Sequence, residues 1–172
     1  MGRNIVLTGF MAAGKSAVGR RVAQRLGWGF VDLDAEIERA AGRSISEIFS
    51  GEGEEGFRRW EVEALARVLG ETRRVIATGG GVLLREENRR LLQDHVVINL
   101  RVSADEAVAR AAASSTPRPL LRGSDPLGRA RELLARRAVL YDAVTIQVET
   151  EGRPLPEVVE EVWQRVRQEM GP

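Results

Sequence analysis

Eight consecutive residues, Gly9-Phe10-Met11-Ala12-Ala13-Gly14-Lys15-Ser16, have the spacing G-x-x-x-x-G-K-[ST]. The chemistry of that pattern is the grip on a polyphosphate. Backbone N–H groups turn inward, the N-terminus of the following helix adds partial positive charge, Lys15 reaches the outer phosphates, and the Ser16 hydroxyl can ligate Mg²⁺. Of 26 basic residues, Lys15 is the only lysine. A chain that otherwise relies on arginine has kept a compact ammonium where one must fit inside a loop.

A second group able to do chemistry is Phe30-Val31-Asp32-Leu33-Asp34. Strand alternation puts Asp32 and Asp34 on one face at a carboxyl edge, where open α/β sheets bind ligands. One carboxylate could hold Mg²⁺ and the other accept a proton from a hydroxyl. The plainer alternative makes Asp34 the N-cap of a helix through Ala35-Glu36-Ile37-Glu38. Thr78-Gly79-Gly80-Gly81 ends a third strand, and three glycines there suggest that something approaches the backbone closely. Arg58 and Glu61 are three apart on one helix and can meet. On a surface such a pair is worth little; facing a cleft, Glu61 fixes a guanidinium that binds a carboxylate. By position alone Arg137, four residues before Tyr141, and Arg118 read as solvated.

The elements that must carry these groups are short apolar runs at Ile5–Thr8, Gly29–Leu33, Val75–Thr78, Val96–Leu100 and Val144–Val148, separated by helical patterns. Runs apolar on both faces argue for a parallel sheet covered on both sides. Ser44 with Glu47 and Ser103 with Glu106 have capping-box spacing. Asp125-Pro126 and Pro156 mark further helix starts, the last followed by an inward stripe of Val158, Val159, Val162 and Val166. Ser50–Gly56, rich in glycine and glutamate, reads as mobile. So does Ala113–Ser124, longer than an ordinary connection and suited to a lid.

The 172 residues predict one domain, able to bury a core unaided. The chain has no cysteine and one histidine, which excludes disulfides, thiolate zinc sites, cysteine nucleophiles and a multi-histidine metal centre. His95 reads as a strand-edge residue. A formal net charge of +1 provides no broad field for nucleic acid. No leader pattern and no membrane-length apolar run are present, so the expectation is a cytoplasmic protein with no membrane partner.

In combination and order these motifs resemble shikimate kinase over nearly the whole chain. The resemblance rests on the Gly-Phe-Met loop, Asp32-Leu33-Asp34, Phe57-Arg58 with Glu61, Gly79-Gly80-Gly81, Arg118-Pro119-Leu120-Leu121, and Arg137 with Tyr141. It implies a three-layer P-loop kinase fold, a five-stranded parallel sheet of order 2-3-1-4-5 with a mobile lid. The single domain spans 1–172, with an acceptor-binding region at about 34–69 and the lid at about 112–124. The implied reaction moves the γ-phosphoryl of ATP to the 3-hydroxyl of shikimate, on the route to chorismate and the aromatic amino acids, with Mg²⁺ and in a monomer.

The roles carried over are catalytic for Asp34, Lys15 and Arg118, and metal-holding for Ser16 and Asp32. ATP contacts fall to Gly9, Met11, Ala12, Ala13, Gly14, Lys15, Ser16, Ala17, Arg110, Arg118, Arg153 and Pro156. Shikimate contacts fall to Asp34, Arg58, Glu61, Gly79, Gly80, Gly81 and Arg137. Position 12 departs from the family, which often has glycine there; because the general motif leaves the position free, the swap is expected to be neutral unless the backbone there is left-handed. Rival readings are a gluconate or nucleoside monophosphate kinase, a nucleotide-sensing module that does not turn over, and a nucleic-acid-dependent ATPase.

Overall fold

The computed structural model describes residues 2–116 and 118–171. Five strands, β1 (Ile5–Gly9), β2 (Gly29–Asp32), β3 (Arg74–Ala77), β4 (Val96–Arg101) and β5 (Ile146–Glu149), pair in parallel in the order β2-β3-β1-β4-β5. The expected order is thus found, and each strand lies within two residues of its expected bounds. Parallel neighbours need crossovers, and helices α1 (Lys15–Leu26), α2 (Leu33–Ala41), α3 (Ile45–Leu69), α4 (Glu86–Leu92), α5 (Ala104–Ala112) and α6 (Pro126–Asp142) supply them, while α7 (Leu155–Met170) follows the last strand and helps cover a face. Strand β1 is central, and all five of its residues are buried. Each fully buried Ile, Val or Leu contributes about 1.5 to 3 kcal/mol, which is why this strand reads as unbroken apolar sequence.

Register carries the site. Leu7 lies opposite Ala77 on one side and Ile98 on the other. The carboxyl ends of β1, β2 and β3 therefore finish side by side, and the segments leaving them share one edge. Gly9 faces Leu100 in this ladder. A Cβ there would sit 2.3 Å from the Leu100 carbonyl oxygen, so the first glycine of the loop is required by packing.

Helix ends mostly follow the expected chemistry. Ser44 and Glu47 form a reciprocal capping box at α3, and Asp125 Oδ1 accepts from the Gly128 N–H at the start of α6. The box expected at Ser103 is half formed: Ser103 Oγ accepts from the Glu106 N–H, but the Glu106 side chain turns to Arg110. The α7 stripe of Val158, Val159, Val162 and Val166 is buried as expected.

One expectation needs correction, and one alternative is set aside. Ser50–Gly56, read as mobile from its composition, runs within α3, which has one non-helical residue, Gly53, at φ 69° and ψ −172°. Glu52 anchors this bend through Arg43 and the Trp60 indole N–H, so glutamates that looked like loop composition are bonded. Asp34 is not an N-cap. Asp32 is, its Oδ1 accepting from the N–H groups of Asp34 and Ala35, and β2 ends there rather than at Leu33. Within the expected lid a 3₁₀ turn spans Pro119–Leu121, and Leu121 is buried. Pro117, and Met1 and Pro172 at the ends of the expected domain, lie outside the described residues.

Candidate active site

A cavity of about 670 Å³ opens over the carboxyl ends of β1, β2 and β3. One wall is the loop between β1 and α1. Gly14, left-handed at φ 91°, precedes α1 as its N-cap, and Lys15 curls back to donate from Nζ to the Gly9 and Phe10 carbonyls at 2.7 and 2.8 Å. Enclosure lowers the Lys15 ammonium to about 8, with Asp34 pulling the other way. Ser16, on the first turn of α1, donates from Oγ to Asp32 Oδ2 at 2.7 Å. A hydroxyl and a carboxylate oxygen thus sit together as hard donors, a set that suits Mg²⁺ shared with phosphates.

Asp34 faces this wall from the first turn of α2. Burial raises its carboxyl to about 6, helped by the like charges of Asp32 and Glu61 and opposed by Lys15. A carboxylate so poised can take a proton near neutral pH. Although β2 ends at Asp32, one residue earlier than expected, both aspartates stay on the cavity, because the first turn of α2 continues along the same edge.

The far wall comes from α3 and α6. Arg58 donates from Nη1 to Glu61 Oε1 at 2.8 Å, with Arg58 4% and Glu61 0% exposed. Burial pushes the Glu61 carboxyl up and the adjacent guanidinium pulls it back. The pair is therefore interior, and the reading as a solvated surface pair is set aside. Arg137 is also buried, contrary to its reading as solvated, because α6 brings it against the glycine turn after β3. Tyr141, one turn further along α6, donates its hydroxyl to the Gly80 carbonyl.

The three glycines each leave room for a different group. A Cβ at Gly79 would meet Glu61 Oε2 at 3.1 Å and Asp34 Oδ1 at 3.2 Å; at Gly80, Arg137 Nη1 at 3.2 Å and the Met11 N–H nitrogen at 3.4 Å; at Gly81, Arg58 Nη2 at 2.3 Å. None of the three has a positive φ, so close approach and not turning is the reason for them. Asp34 Oδ1 and Glu61 Oε2 are enclosed and make no hydrogen bond among the described residues, acceptors left to receive a donor from the cavity.

Arg118, in the segment between α5 and α6, lines the cavity, and its charge acts on both Lys15 and Asp34. Met11, Ala12, Gly14 and Ala17 also line it, while Gly9 and Ala13 are buried beneath. Arg110 reaches the rim. Arg153 and Pro156 do not; they border a shallow depression along α7 with Glu157 and Glu161. Ala12 is left-handed, at φ 59°, so the condition for a neutral substitution is not met.

Residue-type reasoning missed the apolar part of the lining: Ile45, Phe49 and Leu120, with Phe57. Phe49 and Phe57 stack at 4.8 Å between centroids across the bend at Gly53. The two aromatics flanking a glycine-rich break were the available signal, obscured by reading that break as mobile.

Residues 11–167 match the family model described as shikimate kinase. A shikimate kinase of Symbiobacterium thermophilum is 46% identical over 168 residues, covering 96% of this chain and 97% of that protein. One from Thermodesulfovibrio yellowstonii is 46% identical, covering 93% and 92%. Among solved structures, the shikimate kinase from Acinetobacter baumannii in complex with shikimate superposes with a TM-score of 0.92 at 36% identity, covering 98% of this chain and 95% of that one. A gluconokinase from Sinorhizobium meliloti, at TM-score 0.64 and 19% identity, shares the fold alone. A family-wide match of sequence and fold thus coincides with a phosphate loop, a poised carboxylate and two buried arginines around one cavity, and the chain belongs to the shikimate kinase family.

Proposed function

We propose that the cavity transfers the γ-phosphoryl of ATP to the 3-hydroxyl of shikimate with the division of labour that its walls suggest. The observation that carries this reading is that Arg58 and Arg137, both buried, line one cavity together with the phosphate loop and Asp34. Two buried guanidiniums suit a substrate carboxylate, and the loop suits a polyphosphate.

In this reading Arg58, held by Glu61, and Arg137, beside Gly80, orient the shikimate carboxylate. Asp34 accepts the proton of the attacking hydroxyl as its oxygen bonds to the γ-phosphorus and the bond to the ADP oxygen breaks. Lys15 and Arg118 bear on the charge spread over the transferring group, which is where catalysis of phosphoryl transfer chiefly lies. Ser16 and Asp32 would hold Mg²⁺, which when bound neutralises phosphate charge. Among the described residues no cluster of three acidic or histidine side chains could hold an ion by itself, which fits an ion taken largely through phosphates. The remaining nucleotide contacts proposed are Arg110 at the rim and, beyond the cavity, Arg153 and Pro156 on the α7 depression, with Gly9 and Ala13 supporting the loop from beneath. We also propose a monomer working in the cytoplasm; no helix of the described residues is long and apolar enough to cross a membrane.

The test is ADP release from Mg·ATP with shikimate, gluconate, AMP, CMP or no acceptor. Strong stimulation by shikimate alone, abolished in Lys15→Ala, is expected. Stimulation by another acceptor would reassign Arg58 and Arg137, and ATP binding without turnover would point to a sensing role.

A further inference from the structure

Ala12 occupies a backbone conformation that its side chain disfavours. The Ala13 N–H donates to the Phe10 carbonyl at 3.2 Å, closing a four-residue turn in which Ala12 is third. Ala12 has φ 59°, whereas Met11 before it is not among the residues of positive φ. That sequence of signs marks a type II turn, whose third position is ordinarily filled by glycine. A residue bearing a Cβ needs an outside contact to stay there.

Such a contact exists. Arg110, near the end of α5, donates from Nη1 to the Ala12 carbonyl at 3.2 Å. Its guanidinium is itself pinned: Nε donates to Glu106 Oε1 at 2.9 Å, Nη2 to the Thr150 carbonyl at 2.9 Å, and Nη1 also to Thr150 Oγ1 at 3.2 Å. Thr150 is buried and doubly bonded to the Arg101 carbonyl, through its N–H at 3.0 Å and its hydroxyl at 2.7 Å. These bonds to Ala12, Glu106 and Thr150 leave only one guanidinium N–H uncommitted. The planar fork thus ties the phosphate loop to α5 and to the turn after β5, a geometry a lysine cannot reproduce.

We propose that Arg110 is a positioning residue for the phosphate loop: by clamping the Ala12 carbonyl it holds the left-handed turn, so its influence is felt at the triphosphate as well as at the base. This rests on the loop being the ATP-phosphate site. Left-handed residues at 12 and 14 turn neighbouring N–H groups inward as an anion nest, and the clamp keeps that nest formed.

The test uses inorganic tripolyphosphate, which has phosphates and no base, as a competitor of Mg·ATP in the full-length protein. Arg110→Met is expected to weaken tripolyphosphate binding about tenfold, the scale of one charge-assisted hydrogen bond. In an Ala12→Gly background, where the turn needs no clamp, the same substitution should cost less than about twofold. If Arg110→Met does not fold, Arg110→Lys, which keeps the charge and loses the fork, should show the same loss and the same suppression by glycine. Unchanged tripolyphosphate binding with weakened ATP binding would overturn the clamp and leave a role at the base alone. Equal losses in both backgrounds would also overturn it, indicating an effect that bypasses Ala12. Failure of tripolyphosphate to compete in the unaltered protein would remove the loop assignment and the clamp together.

Discussion

Arg58 and Glu61 form an ion pair at 2.8 Å inside the protein, with the rest of the guanidinium pressed against the bare backbone of Gly81. One turn of α3 therefore supplies both a cation for the cavity and the counter-charge that fixes its angle.

Removing one partner leaves the other enclosed and unpaired. Arg58→Ala is expected to lower stability by about 3 kcal/mol and to raise the KM for shikimate roughly a hundredfold, with ATP binding nearly unchanged. Adding Glu61→Gln should recover much of the stability and none of the acceptor affinity. Urea melts and initial rates on the single and double variants separate the two effects; equal loss of ATP and acceptor binding would contradict the assignment.

Asp34, raised to about 6, predicts an acid limb in kcat/KM for shikimate near that pH. The stability consequence has the opposite sign. Between the ordinary value of 3.8 and about 6 the folded protein holds a proton that the unfolded chain has lost, so ionised Asp34 subtracts from stability as pH rises through that window. Asp34→Asn should cut kcat by about 10² to 10⁴ and yet raise stability at pH 7 by about 1 to 3 kcal/mol. A variant both inactive and less stable would refute the poised carboxylate.

Lys15, lowered to about 8, predicts an alkaline limb there in kcat/KM for ATP, which reports the free protein. Bound phosphates favour the charged ammonium, so the limb in kcat should move to higher pH. Full pH profiles of both parameters check this. Coincident limbs would mean that Lys15 does not face the nucleotide phosphates.

Gly9 can accept no side chain, since its Cβ would collide with the Leu100 carbonyl and its φ is 138°. Gly9→Ala should cost about 3 kcal/mol or more, a fall of roughly 6 to 12 °C in Tm for a chain of this size. A thermal melt within a degree or two of the unaltered protein would show that β1 and β4 part easily at this edge.

Sequence alone determined whatever is local along the chain. The phosphate loop is contiguous, so its strand, turn, lysine and serine could be read directly, and apolar runs alternating with capped helices led to a parallel sheet. Its strand order came from the family resemblance. Tertiary structure decided what depends on distant segments meeting. Arg137 reads as solvated until α6 is packed against the turn after β3, and Arg58 with Glu61 reads as a weak surface pair until α3 is buried. The three glycines signalled close approach without naming what approaches; Asp34, Glu61, Arg137 and Arg58 come from three other helices. Ser50–Gly56 reads as mobile because the partners of its glutamates, Arg43 and Arg85 among them, lie on other segments. Position 12 looked free because φ is not a property of residue type: alanine sits in glycine's place there, and the contact that holds it, from Arg110, is 98 residues away.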